Sequence, residues 1–275
     1  MAMSIKTNVS SLNAQRNLFS SEMSLNSSMA KLSSGYRITK AGDDAAGLGI
    51  SSNLSAQIRS YNQASRNAQD AVSVIQTAEG ALNETTSILT RMRELAMQSA
   101  SDGVGNTERG YIQSEAAALS TEIDRIANAT EFNGTALLNT TATALTFQVG
   151  IRNVAANDRI SVSTVNTSAS SLGLSGLSLS SAAGAQSALG LLDSALQTVS
   201  SARATFGAAG NRLESVVSTI QTASENISAA NSRIRDVDVA EETSKMARSQ
   251  VLMQAGVSVL SQANQSPQLA LKLLG

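Results

Sequence analysis

Residues 44–99 read DAAGLGISSNLSAQIRSYNQASRNAQDAVSVIQTAEGALNETTSILTRMRELAMQS, and apolar side chains recur along this stretch at every seventh position. The row comprises Leu54, Tyr61, Ala68, Ile75, Leu82, Leu89 and Ala96, and Ile50, Ile58 and Val72 lie on the same stripe. A heptad repeat sustained over this length is typical of a long helix with one continuous packing seam. The predicted helix is about 80 Å long, at 1.5 Å per residue.

A second heptad row follows in the C-terminal half of the chain. Its members are Leu192, Val199, Phe206, Leu213, Ile220, Ile227 and Ile234. The neighbouring row is interrupted by Arg203, Gly210, Ser224 and Asn231. Such breaks in a seam usually fix its register at some cost in stability. We therefore predict two long antiparallel helices.

The stretch between these helices changes its period. Ile112, Leu119 and Ile126 predict a shorter helix after a loop at 102–106. Apolar and polar residues then alternate over 145–152 and again over 160–163, which predicts a β-hairpin with one apolar face. The Ser-, Ala-, Gly- and Leu-rich residues 166–187 are expected to form an irregular surface segment.

Both ends of the chain carry thinner apolar rows. Each end is too weakly amphipathic to fold alone as a helix, so we expect the two helices to pair with each other and with other copies. The predicted polymerisation seam consists of Leu12, Phe19, Leu25, Leu32, Met246, Met253, Leu260 and Leu273. The patterns together predict a mainly α protein: a rod-like bundle of long antiparallel helices, one small β-hairpin, and terminal helices that form a coiled coil.

The composition of the 275-residue chain excludes several function classes. It has no His, Cys or Trp and one Pro, and aromatic residues make up 3% of it. Catalysis by a His-activated nucleophile and metal sites with Cys or His ligands are therefore excluded, and we predict no enzyme, cofactor or metal. The net charge of −1 gives no basic surface for nucleic acid and favours self-association. The N-terminus carries no cleavable signal and no stretch predicts membrane insertion, so the chain is cytosolic or leaves the cell without a cleaved signal.

Three short motifs have both a chemical and a structural interpretation. Asp43–Asp44 could be a catalytic or metal-binding carboxylate pair, but after Gly42 it is better explained as a helix N-cap with negative charge at the start of the long helix. Gly47-Leu48-Gly49 is too short for a phosphate loop and follows no predicted strand. Met246 and Met253 could line a promiscuous groove, although their heptad position favours packing.

Three longer motifs resemble those of bacterial flagellins. They are LSSGYRITKAGDDAAGLGI over 32–50, NISAANSRIRDVDVAEE over 226–242, and VLSQANQSP over 259–267 followed by Leu273 and Leu274. The resemblance covers about residues 1–140 and 185–275, while the large variable outer domains of many flagellins are missing.

The resemblance implies a structural subunit that polymerises into the flagellar filament for swimming. It implies an inner coiled-coil domain of residues 1–43 and 235–275, and a rod domain of residues 44–234 in which 145–187 is the hairpin and irregular segment. It also implies export without cleavage through a dedicated type III channel, an extracellular location, and an export chaperone, filament cap and hook-junction proteins as partners. The hinge is expected at Gly42, Asp43 and Asp44.

The resemblance further implies recognition by a Toll-like receptor of the host. The family's receptor contacts correspond to Arg91, Leu95 and Glu115. We expect these residues to form one patch, because Arg91 and Leu95 are four apart on a helix and Glu115 lies on an antiparallel return.

Two other functions stay open at this point. A hook–filament junction protein shares the terminal helices, but its resemblance to the C-terminal run is expected to be weaker, and a Pro is expected near Ala45–Ala46. A coiled-coil signalling rod has similar Ala-, Ser- and Gln-rich helices, but it would normally carry a membrane span.

Overall fold

The computed structural model describes residues 7–139 and 144–272. Its elements are α1 (Val9–Ser34), α2 (Ala45–Ser99), α3 (Asn106–Ala129), β1 (Glu131–Phe132), β2 (Thr135–Ala136), β3 (Ala144–Gln148), α4 (Ala155–Asp158), β4 (Arg159–Ser163), α5 (Ala182–Arg235) and α6 (Val239–Lys272). The mainly helical fold class and the long helix expected over 44–99 are confirmed.

The chain forms two compact units. The terminal unit combines Met1–Ile58 with Glu225–Gly275, and the central unit is Arg59–Ser224. Helices α2 and α5 contribute residues to both units. The expected division into an inner domain of 1–43 and 235–275 and a rod domain of 44–234 describes roles in assembly, and it stays a prediction.

In the central unit, α2 and α5 are antiparallel neighbours. The Ser224 hydroxyl lies 3.5 Å from Asn62 Oδ1, and Arg93 Nε donates to Asp193 Oδ1 at 2.7 Å. The two contacts are separated by the same number of residues on both helices, from Asn62 to Arg93 on α2 and from Asp193 to Ser224 on α5. The two helices therefore keep one register along this stretch, as two matched heptad rows require.

The predicted heptad rows form the core of the central unit. The α2 row is buried from Ala68 to Ala96, and the α5 row is buried from Leu192 to Ile220. Alanines fill many of the remaining buried positions, including Ala71, Ala78, Ala188 and Ala195. Small side chains let helix backbones approach closely, which explains how a core forms with so few aromatic residues.

The predicted β-hairpin is present as β3 and β4. Leu145 lies opposite Val162 and Phe147 opposite Ile160, so one face of the hairpin is apolar. A second small hairpin, β1–β2, was not predicted. Its turn is Asn133–Gly134, and both residues have positive φ angles. Asn-Gly is the strongest two-residue hairpin signal and could have revealed it.

The segment between β4 and α5 differs from expectation. It contains no strand, α5 begins at Ala182, within the stretch expected to be irregular, and Leu172, Leu174 and Leu179 are buried in the core. Gln113 on α3 donates to Leu177 O and accepts from Leu179 N, and the Ser99 hydroxyl donates to Leu179 O. The prediction of a surface segment is therefore wrong, because side chains of α2 and α3 hold this backbone in place.

Candidate functional site: the terminal helices and their connecting turns

The paired terminal helices are α1 and α6, which pack against each other within the terminal unit. Each begins with a side-chain cap. Asn8 Oδ1 accepts from the Ser11 N–H at 3.0 Å, and Asp238 Oδ1 accepts from Ala240 N–H at 2.9 Å. Helix α1 ends at Ser34 and is capped by Gly35, whose φ of 73° is the left-handed conformation that glycine adopts readily. The beginnings of both helices and the end of α1 are thus fixed by local chemistry.

One face of each helix is covered by the other helix. Leu18, Leu25 and Leu32 are seven residues apart on α1 and are half-buried. Met246, Met253 and Leu260 form the matching half-buried row on α6. Gly256 adjoins Leu18, since a Cβ built on the glycine would lie 3.5 Å from Leu18 Cδ1. We call the six leucine and methionine residues of these two rows the intramolecular seam.

Polar side chains fix the register of this seam. Asn8 Nδ2 donates to Ala263 O at 2.8 Å, and the Ser11 hydroxyl donates to Asn264 Oδ1 at 2.9 Å. Towards the other end of α1, the Ser28 hydroxyl donates to Glu242 Oε1 at 2.7 Å. A shifted register would leave these groups without their partners, which is costly where they are buried. The apolar rows alone predicted the pairing but not these contacts.

Glu242 is the buried charge of this pair, with 6% of the residue exposed. The hydrogen bond from Ser28 holds the pKa of its carboxyl below the usual value of 4.5, and the positive charges of Lys31 and Lys245 act in the same direction. Lys245 Nζ lies 3.5 Å from Glu242 Oε2 and 2.7 Å from Glu241 Oε1. The carboxylate is therefore stabilised in its charged form.

Acidification should weaken the pairing of α1 with α6. Because the pKa of Glu242 is lower in the folded chain than in the unfolded chain, its contribution is fully present above about pH 4.5 and is lost as the pH falls through the folded pKa. Circular dichroism during heating, repeated between pH 7 and pH 3, measures this loss. A Glu242→Gln variant should lack this part of the pH dependence, and an unchanged profile in the variant would contradict the assignment.

Other apolar side chains of α1 and α6 face away from the intramolecular seam. On α1 they include Val9, Leu12, Phe19 and Met23, and on α6 they include Val251, Leu252 and Val259. Phe19 is 63% exposed. We call this set the outer ridge. Exposed apolar clusters of this kind mark interaction sites.

The predicted polymerisation seam is thereby divided between two surfaces. Leu12 and Phe19 lie on the outer ridge, where another molecule can reach them. Leu25, Leu32, Met246, Met253 and Leu260 lie in the intramolecular seam, so their first role is to pair the helices of one chain. Leu273 lies outside the described residues.

The turn between α1 and α2 is organised by the two adjacent aspartates. Asp43 Oδ2 accepts from the N–H groups of Thr39 and Lys40, each at 3.0 Å. These bonds hold the pKa of Asp43 below its usual value of 3.8, with the Lys40 N–H the largest cause. Asp44 Oδ1 accepts from Gly47 N–H at 2.8 Å and so caps α2. A side chain at position 47 would collide with Asp44 and with the buried Ile38.

This turn is tied to the turn between α5 and α6. Arg37 N–H donates to Arg235 O at 2.6 Å, and Val237 N–H donates to Gly35 O at 3.0 Å. The Arg235 guanidinium lies 4.1 Å from the centre of the Tyr36 ring, which is a cation–π contact. Gly42 has open space around it. The role of 42–44 as a hinge stays a prediction.

The expected receptor patch is only partly assembled at the surface. Arg91 Nη2 donates to Glu115 Oε1 at 2.8 Å, and Arg91 Nη1 donates to Glu94 Oε2 at 3.1 Å. Leu95, in contrast, is 2% exposed and belongs to the core. The expectation that the three residues form one patch fails at Leu95, because this side chain packs in the core of the central unit.

Within residues 7–139 and 144–272, no three side chains of His, Cys, Asp or Glu lie close enough together to hold a metal ion. No helix among them is long and apolar enough to cross a membrane.

Comparison with known proteins supports this arrangement of helices. The bacterial flagellin N-terminal helical region matches residues 5–143, and the bacterial flagellin C-terminal helical region matches residues 189–274. The flagellin of Halalkalibacterium halodurans is 44% identical over 99% of this chain and 100% of its own length. The flagellin of Bacillus subtilis is 42% identical with the same coverage of both chains.

Solved structures agree with the sequence comparison. The crystal structure of Bacillus cereus flagellin is 34% identical, with a TM-score of 0.51 over 60% of this chain and 94% of that one. A putative flagellar hook-associated protein from Vibrio parahaemolyticus has a TM-score of 0.60 over 70% of this chain and 100% of its own, but it is 13% identical, so it shows only a shared fold. On the two family matches and the full-length similarity to flagellins, this chain belongs to the bacterial flagellin family.

Proposed function

We propose that the chain is a structural subunit that polymerises into the filament of the bacterial flagellum and thereby serves swimming motility. The observation that carries this proposal is the outer ridge, an apolar surface on α1 and α6 that is left over after the two helices have paired. Fully burying one such side chain contributes about 1.5–3 kcal/mol, so a row of them supplies a substantial driving force for association.

Assembly would proceed by covering the outer ridge with neighbouring copies. The intramolecular seam holds α1 and α6 together, and the turns at 35–44 and 235–238 connect this pair to α2 and α5. Contacts between different surfaces of identical subunits produce open helical polymers when the rotation between them does not close. The chain therefore acts through its own copies and not through a reaction.

The finer parts of the proposal concern the path to the filament. The chain would leave the cell without cleavage through the type III export apparatus, accompanied by an export chaperone that covers apolar terminal residues. Outside the cell it would meet the filament cap and the hook-junction proteins. A chain without Cys and with one Pro suits passage in an unfolded state, because disulfides would obstruct it and X-Pro bonds isomerise slowly.

Electron microscopy of the purified chain after seeding with short filament fragments tests the proposal. Long filaments of constant width are expected. A hook–filament junction protein, which adopts the same kind of terminal helices, would add at most a short cap to the seeds. Seeds that do not lengthen would contradict the proposal.

Recognition by the host's Toll-like receptor is proposed for Arg91 and Glu115. These side chains form an exposed ion pair that joins α2 to α3, and they offer a charged surface to a partner. Leu95 can contribute only by supporting the backbone beneath this pair, since it is buried.

Replacing Arg91 with alanine should weaken receptor activation and barely change stability. Exposed ion pairs are screened by water and contribute little to stability, so the melting temperature should stay close to the parent's. A reporter-cell assay comparing the parent monomer, the Arg91→Ala monomer and intact filaments measures activation. Equal activation by both monomers would refute the role of Arg91.

A further inference from the structure

A groove runs along one side of the α1–α6 pair. Its volume is about 530 Å³, and its α1 wall is built mainly from serines, namely Ser20, Ser24, Ser27 and Ser28, together with Met23 and Lys31. The α6 wall carries Glu242, Lys245, Arg248 and Ser249. Because serine side chains are short, the backbone of another helix can approach this wall closely.

The groove has an excess of positive charge. Lys245 is engaged by Glu241 and Glu242. Lys31 and Arg248, in contrast, take part in none of the ion pairs formed among the described residues. Glu242 accepts from the buried Ser28 hydroxyl, and together Glu241 and Glu242 offset two of the three cations, which leaves one positive charge in excess. The groove is therefore suited to an acidic side chain from outside.

The opposite side of α1 carries such a side chain. Glu22 is the sole carboxylate between Val9 and Ser34, it is exposed, and it belongs to none of the ion pairs of the described residues. It precedes Lys31 by nine residues, which is about two and a half helical turns, so the two residues lie on opposite sides of α1. Glu22 follows Phe19 by three residues and so lies beside it.

We propose that Glu22 of one copy enters the groove of the next copy and pairs with Arg248 and Lys31 there. This inference rests on the proposed function and names the contact that orders neighbouring subunits. The acidic side of α1 and the basic groove are different surfaces of one unit, so the contact is heterologous. Repeating it adds copies in one direction, which is the geometry of an open helical polymer and not of a closed dimer.

The second copy is favoured as occupant by charge and by continuity with the outer ridge. Glu22 lies beside Phe19, and Met23 belongs both to the outer ridge and to the groove wall. The same approach of two copies can therefore cover apolar side chains and form the ion pair. The ion pair then lies next to apolar contacts that exclude water, where charges interact more strongly than at an open surface.

Charge reversal tests the contact. Glu22→Lys and Arg248→Glu each place like charges together, and each should raise the critical concentration for seeded assembly tenfold or more. The double variant restores opposite charges and should recover most of this loss. Gln250→Glu is the control for added negative charge on α6, because Gln250 is not part of the groove. Sodium chloride at about 1 M, where the screening length falls to about 3 Å, should reduce the difference between parent and single variants.

The outcomes separate this inference from the proposed function. Circular dichroism of each variant monomer verifies that α1 and α6 stay folded. Normal assembly by both single variants, or no recovery in the double variant, would overturn the Glu22 contact and leave polymerisation intact. A parent chain that lengthens no seeds would overturn the proposed function, and this contact with it. If an unrelated acidic helix binds in the groove and Arg248→Glu has no effect on assembly, the groove belongs to another partner and the Glu22 contact is overturned.

Discussion

The Phe19→Asp variant is expected to form no filaments while its monomer stays folded. Phe19 is 63% exposed in the single chain, so its loss removes little from the pairing of α1 with α6. Phe and Asp also have similar helix propensities. In the polymer the ring would be buried, and its burial contributes about 1.5–3 kcal/mol, whereas an unpaired buried carboxylate costs several kcal/mol more. Together these terms should raise the critical concentration more than a hundredfold.

Seeded growth followed by electron microscopy measures this effect. Phe19→Leu is the matched control, since it keeps an apolar side chain at the same position and should still assemble. Hydrogen exchange along α1 should be the same in the parent and variant monomers. Filaments of normal length from Phe19→Asp would show that this part of the outer ridge faces solvent in the polymer.

Much of the helical architecture follows from the seven-residue rows alone. The row through Leu82 and Leu89 is buried as expected, and the row through Leu192 and Leu213 packs in the same core. Residues spaced seven apart lie on the same face of a helix and so share the same environment. The apolar period in the sequence therefore directly identifies the buried face. The alternation around Phe147 works in the same way for the hairpin.

The site was less accessible to prediction. An apolar row shows that a face is covered, but it does not show whether the covering surface belongs to the same chain or to another one. Leu260 and Leu12 have similar patterns in the sequence, yet Leu260 pairs within the chain and Leu12 is exposed. Contacts such as Ser28 with Glu242 join residues far apart in sequence, and no periodic signal marks them.

The same reasoning explains the error at residues 166–181. The stretch has no period because it forms no regular helix or strand, and its many serines suggest solvent exposure. Its leucines nevertheless fill spaces against α2 and α3. Irregular backbone can be buried when side chains satisfy its polar groups, and here Ser99 and Gln113 do so at Leu179. Only the tertiary structure brings these residues together.

The second large effect is expected from Leu179→Ala, which should destabilise the central unit. Leu179 has no exposed surface, and it is held from both sides of its backbone by Ser99 and Gln113. The substitution leaves a cavity, and these bonds hinder the segment from collapsing into it. The free energy of unfolding should therefore fall by about 2–5 kcal/mol. Denaturant unfolding followed by circular dichroism measures it. Leu191→Ala makes the same chemical change at a position that is 40% exposed and should cost less than about 1 kcal/mol. Equal costs at the two positions would show that the segment 166–181 is not part of the core.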